Sequence, residues 1–431
     1  MQLVLAVVVI AVGIGFMIRQ VDVRLVLLAT ALLLALLAGQ PLLVADTFTR
    51  AMVAAMVAPI CAAMGFAAVS SATGCDAHLV NLLLAPIRRV PWLATPGGIL
   101  AAYLVNMAVP SQASTAAALG PILVPLLVAS GQSATVAGAA LILGASFGGD
   151  LLNPGAQDVQ SVAGSAGLSA QAVSARVIPA SIAGALVAAL SFTLLNRAAP
   201  GEPASSRSRD AEPLPRIDLV RAAIPVVPIA LLLAAYGGFG PLAWLVAVPP
   251  GAEWASLANA LPVVRAMLIG AMLAALVSWR EVALVTRSLF DGMGKAYGNI
   301  ISLTITAQCF GAGIAAVGIA AALLRVARDS GALEVLAGGF PWALATLSGS
   351  GSGPILTFGQ TFLPHVDASQ APEKLGALAC LGGSFGRTMS PVAAVVIYTS
   401  GLVGVPPLPL IRRLLPALLA GGAVALALAA R

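Results

Sequence analysis

The sequence predicts an all-α polytopic membrane protein made of two inverted repeats, each with about five transmembrane helices and one re-entrant hairpin, with helices broken at the membrane midplane. Three observations carry that expectation: an extreme apolar composition, a collinear internal repeat, and four small-residue interruptions at matching places in the two halves. Of the 431 residues, 60% are hydrophobic and 9% are charged, and mean hydropathy is +1.01. A soluble domain needs a polar shell that this composition cannot supply. The apolar stretches run for about 18 to 25 residues, enough to cross a hydrocarbon core roughly 30 Å thick. They lack the short period-2 alternation of a barrel strand, so helices are expected.

Apolar runs predict crossings near 2–18, 24–41, 51–72, 134–160, 176–196, 221–237, 259–279, 296–324, 375–400 and 409–430. The first has no basic leader and no cleavage site before Arg19, so it reads as a retained helix. Two further stretches, about 92–127 and 335–366, are interrupted midway by proline and small polar residues and read as re-entrant hairpins. Residues 197–217, rich in proline, serine and charge, form the expected cytoplasmic linker between an N-terminal repeat (1–196) and a C-terminal repeat (218–431). The net charge of +6 comes largely from arginines in short loops, the signature of membrane topogenesis, and does not point to nucleic acid. Placing most of these arginines on one face makes that face cytoplasmic, with both termini outside. The four cysteines show no Cys-x-x-Cys spacing and read as packing residues.

The repeat appears as CAAMGFAAV at 61–69 against CFGAGIAAV at 309–317, then Ser111, Gly120 and Pro125 against Ser350, Gly359 and Pro364, then LGASFG at 143–148 against LGGSFG at 381–386. The order is kept throughout, which isolated apolar matches would not give. With an odd number of crossings per half, the second copy must enter the membrane inverted.

Lipid offers backbone groups no hydrogen-bond partner, so Gly/Pro/Ser-rich interruptions survive at membrane depth only inside protein or beside a wet cavity. The expected tips are PSQAST at 110–115 and SGSGSG at 348–353, and the expected helix breaks are 144–154 and 382–391. Freed N–H groups at half-helix N-termini favour an anion, and freed carbonyls at C-termini favour a cation. Close helix packing through small residues is the competing explanation of any one such cluster. Two of the four carry an ionisable residue, Asp150 and Arg387, which is costly at such depth and marks a pathway more often than a scaffold. The guanidinium of Arg387 suits a carboxylate. Ser111, Gln112, Ser114, Thr115, Asn153, Ser350, Ser352, Ser384, Thr388 and Ser390 complete the expected substrate set. Asp150 with Ser146 is the expected coupling-ion site, and mutual pairing of Asp150 and Arg387 is the structural alternative. His365 reads as structural, His78 is assigned no role, and Asp291 and Lys295 read as interfacial anchors. The glycine–serine clusters have no accompanying His/Asp set, so an enzyme is not expected, and no metal or cofactor is called for.

With these motifs in view, the sequence resembles the DcuC-type anaerobic C4-dicarboxylate carriers of the ion transporter superfamily. The resembling segments are PSQAST with ALGPILVPLL, GASFGGDLLNPGAQD, FDGMGKAYGNIISLTITAQCFGAGI and GRTMSPVAAVVIYTSGL, within about 106–402. The resemblance implies a multi-pass protein of the bacterial inner membrane that carries fumarate, succinate, malate or aspartate by exchange, efflux or cation-coupled transport. The first tip lacks the Ser-Asn-Thr triplet of sodium-coupled relatives, so coupling to H+ or Na+ stays open, as does monomer or homodimer. A cation/proton antiporter of the same superfamily, with Asp150 as exchanging group, is the alternative.

Overall fold

The computed structural model describes residues 2–19, 21–54, 57–90, 93–109, 111–196, 217–250, 257–258 and 260–431, and among these there is no strand. The N-terminal half holds α1 (Gln2–Ile18), α2 (Val23–Leu37), α3 (Leu43–Met52), α4 (Val57–Ala72), α5 (Cys75–Arg89), α6 (Ala94–Ala108), α7 (Gln112–Ala129), α8 (Ala134–Ser146), α9 (Gln157–Ala166) and α10 (Ala170–Asn196). The C-terminal half holds α11 (Val227–Tyr236), α12 (Leu261–Val277), α13 (Val282–Ala296), α14 (Ser302–Ala316), α15 (Ile319–Asp329), α16 (Leu333–Ser348), α17 (Ser352–Phe362), α18 (Pro372–Met389), α19 (Ala394–Val403) and α20 (Pro407–Ala429). Most of the linker, 197–216, lies outside the described residues.

Each interruption predicted as a hairpin tip separates two helices that fold back on each other. In the first, Ser111 has extended backbone and its hydroxyl accepts from the Ser114 N–H, capping α7. Ten residues back along α6, Gly98 leaves room for Leu123 of α7, a contact only antiparallel helices can make. In the second, α16 ends at Gly349 in the left-handed conformation, with φ 74°. The Phe340 ring of α16 then meets Phe362 of α17 at 5.5 Å between centroids.

The packing pairs recur when the halves are exchanged. α7 packs on α19 and α17 on α9; α8 packs on α20 and α18 on α10; α4 packs on α12 and α14 on α2. α10 and α20 pack on each other. They cross at Gly184 and Gly421, where a Cβ on Gly184 would come within 2.7 Å of the Gly421 carbonyl oxygen. Burying these faces against one another leaves large apolar side chains such as Leu186, Leu190, Met272 and Leu276 exposed on the outside. In a membrane protein that surface is met by lipid.

Among the described residues, six helical runs are long and apolar enough to cross a membrane, or up to eight if each of two bent pairs is one span. The expected ten crossings are therefore not all met, because five further apolar helices have only 10–17 residues. At 1.5 Å per residue these fall short of a roughly 30 Å core. Two boundaries also differ. In the crossing expected at 134–160 the α-helix ends at Ser146 and the run continues irregularly only to Leu152, and the one expected at 296–324 begins much earlier, since residues 279–316 form one helical run. A π turn at Tyr297–Ile301 absorbs the irregularity there without breaking the helix.

The break expected at 382–391 is corrected more sharply. GGSFGRTM is helical to Met389, and the chain leaves the helix only at Ser390. The glycines act as packing surface: a Cβ on Gly382 or Gly386 would collide with the Gly338 or Trp342 carbonyl of α16. The equivalent first segment does break, because Gly148 takes φ 103° and α8 ends before it.

Candidate functional site

Both tips and both breaks meet in one place. Gln112, in the first turn of α7, donates to Asp150 Oδ2 at 2.7 Å, so the first tip touches the first break. The second tip touches the second break where Gly349 abuts Val392 and Ala393. Across the halves, Gln157 at the start of α9 donates to Ser352 Oγ at 2.5 Å. Ser146 and Thr388 hydroxyls lie 2.9 Å apart, and the Phe147 and Phe385 rings meet at a tilt of 44° with centroids 4.9 Å apart.

At the centre, Arg387 and Asp150 are 5% and 6% exposed, with Arg387 Nη2 3.7 Å from Asp150 Oδ2. Arg387 sits in the last turn of α18, where the helix dipole favours a cation. Its Nε and Nη2 have no hydrogen-bond partner, and neither does Asp150 Oδ1. The guanidinium is thus placed by the helix and by one loose ion pair, with its donor fork unspent. Gly351 lies directly against it, since a Cβ there would come 2.9 Å from Nη1.

A cavity of about 280 Å³ is lined by Ser111, Gln112, Ser350, Gly351, Ser352 and Arg387, and closed by the start of α19 at Ala393–Val395. That size suits a small ligand. Ser111 also borders a second cavity of about 550 Å³, with Ser71, Asp76, Ser114 and Lys295 on its wall.

Of the expected substrate residues, the structure brings Ser111, Gln112, Ser350, Ser352 and Arg387 to the central cavity. Ser114 faces the neighbouring cavity and bonds Ser111 at 2.9 Å. Thr115 donates to the Val109 carbonyl at 3.1 Å, pinning the tip from behind. Asn153 accepts from the Gly155 N–H at 2.8 Å and shapes the break. Thr388 reaches the Ser146 carbonyl of α8 at 2.7 Å, bracing helix to helix, and the Ser384 carbonyl one turn back in its own helix at 2.7 Å. Ser384 and Ser390 are buried and have no partner for their hydroxyls. Ser146 is occupied with Thr388.

Three residues were not singled out from the sequence. Asn106 of α6 accepts from the Asp150 N–H at 2.9 Å and donates to Val109 and Thr115, so it ties tip to break. A lone amide in the apolar run 99–109 was the available signal. Gln157 and Asp158 follow the first break in GAQD, in a stretch whose polarity resembles ordinary loop. His78 accepts from the Asp218 N–H at 3.3 Å.

The fold and its apolar runs define a multi-pass helical membrane protein. Residues 42–429 match the model of the DcuC family, described as C4-dicarboxylate anaerobic carrier, and the chain belongs to that family. It is 25% identical over 362 residues to the anaerobic C4-dicarboxylate transporter DcuC of Escherichia coli strain K12, covering 81% of this chain and 75% of that protein. It is 28% identical over 220 residues to a putative uncharacterized transporter of Haemophilus influenzae, covering 50% and 74%. Among solved structures it is similar in fold to the Alcanivorax borkumensis YdaH transporter, with a TM-score of 0.55 and 17% identity over 89% of this chain and 86% of that one.

Proposed function

We propose that this protein is a secondary active transporter of C4-dicarboxylates such as fumarate, succinate, malate and aspartate, working by exchange, efflux or cation-coupled transport across the bacterial inner membrane. The observation that carries the reading is Arg387: a buried guanidinium with Nε and Nη2 unpartnered, on the wall of a cavity between two hairpin tips. One substrate carboxylate takes the fork of Arg387, and hydroxyls of Ser111, Ser350 and Ser352 receive the other oxygens. Asp150 holds Arg387 in the empty state and gives way to the substrate, after which a coupling cation, H+ or Na+, neutralises it.

In this reading the halves are inverted repeats with re-entrant hairpins, and the linker side is cytoplasmic. The recurrence of packing pairs on exchange of halves supports it. The cavity bounded by Asp76 and Lys295 opens onto Ser111 and serves as the vestibule. Alternating access follows from tips and breaks moving together against α10 and α20.

Counterflow of labelled dicarboxylates in proteoliposomes, with and without sodium and a pH gradient, tests the proposal. Absence of counterflow for every C4 diacid defeats it. The Asp150–Arg387 pair itself favours a second reading, a cation/proton antiporter in which no organic anion binds. Thermal stabilisation of purified protein by a dicarboxylate separates the two.

A further inference from the structure

Asp158 lies in the first turn of α9 and is 2% exposed. Neither of its carboxylate oxygens has a hydrogen-bond partner. The charged groups acting on it are Asp150 and Arg387, and the Ser352 hydroxyl of the second tip is the donor within reach, short of full hydrogen-bond geometry. Arg387 is already 3.7 Å from Asp150. A buried, unpaired carboxylate costs several kcal/mol unless it is neutralised.

Beyond Arg387, which already faces Asp150, the described elements around α9 supply no cation for this purpose. α17 carries no ionisable side chain, and α18 contributes Cys380 at that level, buried and uncharged in role. Further along α18, Glu373 pairs with Arg176 of α10 at 3.5 Å, and Lys374 pairs with Glu334 at 2.5 Å. His365 lies beyond the far end of α17 and is exposed. Cys61 on α4 is a thiol. Among the described residues, no group of three or more His, Cys, Asp and Glu is arranged to hold a metal ion.

We infer that Asp158 is a proton-carrying site of the transport cycle, protonated while the second tip is closed over it and exchanging its proton when that tip moves. The inference rests on the dicarboxylate reading above. Charge demands it: Asp150, Asp158 and a dianion set four negative charges against the one positive charge of Arg387, so a single coupling cation leaves the site far from neutral. Geometry supplies the link. Gln157, next in sequence, donates to Ser352 Oγ, Ser352 lines the cavity, and Gly351 rests on Arg387. A ligand carboxylate on Arg387 therefore fixes the tip that covers Asp158, and an outward swing of the tip opens Asp158 to water. The reaction is a bare proton transfer: the carboxylate gains a proton from solvent as the tip closes and returns it on the other side.

The test is proton uptake by the purified full-length protein on adding fumarate, read with a pH dye in weak buffer, alongside thermal stabilisation as the measure of binding. The wild type is expected to take up protons on binding, as fumarate closes the tip in molecules where it stands open, and Asp158→Asn to take up fewer per fumarate bound, while Asp158→Glu recovers the wild-type number. Equal uptake by wild type and Asp158→Asn overturns the inference, as does fumarate binding to the wild type without proton uptake or with a sodium requirement in its place. The wild-type measurement stands even where a variant does not fold. Lack of stabilisation by any C4 diacid defeats the dicarboxylate reading itself, a result distinct from binding without protons.

Discussion

Arg387 Nη2 stands 3.7 Å from Asp150 Oδ2, although the two residues are 237 positions apart and in different halves of the chain. The contact is an ion pair without a hydrogen bond, because Nη2 and Nε remain unpartnered. A pair this loose holds the guanidinium in place without saturating it.

The first prediction follows from that geometry. A buried charged hydrogen bond is worth about 1.5–3 kcal/mol, or roughly ten- to a hundredfold in binding. Arg387→Lys should weaken dicarboxylate binding by about that much, since a point charge cannot reproduce the fork, and Arg387→Ala should remove nearly all of it. Isothermal titration on folded variants measures this. Near-normal dicarboxylate flux in Arg387→Ala combined with Asp150→Asn would show instead that Arg387 serves only to neutralise Asp150.

A second prediction concerns backbone approach. Gly382 meets the Gly338 carbonyl with no room for a Cβ, whereas Gly339 has open space around it. Gly382→Ala should lower stability by about 1–3 kcal/mol, as overpacking does, while Gly339→Ala should be tolerated. Thermal unfolding in detergent compares the two, and equal melting temperatures would contradict the packing role of GGSFG.

Ser146 and Thr388 brace the two halves through their hydroxyls. Thr388→Val keeps the shape but leaves Ser146 without that partner, at a cost of about 1 kcal/mol. A lower melting temperature is expected, with dicarboxylate affinity shifting less than in Arg387→Lys, because Thr388 lies outside the cavity lining.

In the turn between α1 and α2, Asp22 is held down to about 2 by its hydrogen bond to the Arg24 guanidinium. Arg24 in turn donates to the Gly298 carbonyl at 3.1 Å, fastening the turn to the π segment. A carboxyl lowered in the folded state stabilises above its unfolded value, near 3.9, and that contribution fades as pH falls toward 2. Carbon-detected NMR of labelled aspartate should place Asp22 near 2 in the wild type and close to the ordinary value in Arg24→Ala. An unmoved midpoint would remove Arg24 as the cause.

Different parts of the site were legible to different degrees. Asp150 and Arg387 stood out because a charge inside an apolar run is costly wherever it lies. The tips stood out because serine, glycine and proline end helices locally. Thr388 and Asn153 carry the same local signature, yet one braces a neighbouring helix and the other shapes its own turn. Asp158 carries no such local signature, because GAQD resembles an ordinary loop until α9 is packed against α17 and α18.

By itself, the sequence determined that the chain is helical and membrane-embedded, that its halves share an order of motifs, and where small residues interrupt the apolar runs. These follow from hydropathy and backbone preference, which act over a few residues. Only the tertiary structure decided that GGSFG stays helical, that Asp150 and Arg387 pair, that five of the expected residues line one cavity, and that Asp158 is buried without a partner. Each depends on which surface a distant segment presents. Glycine permits either a break or a close helix contact, and the carbonyls of α16 lying against Gly382 and Gly386 select the contact.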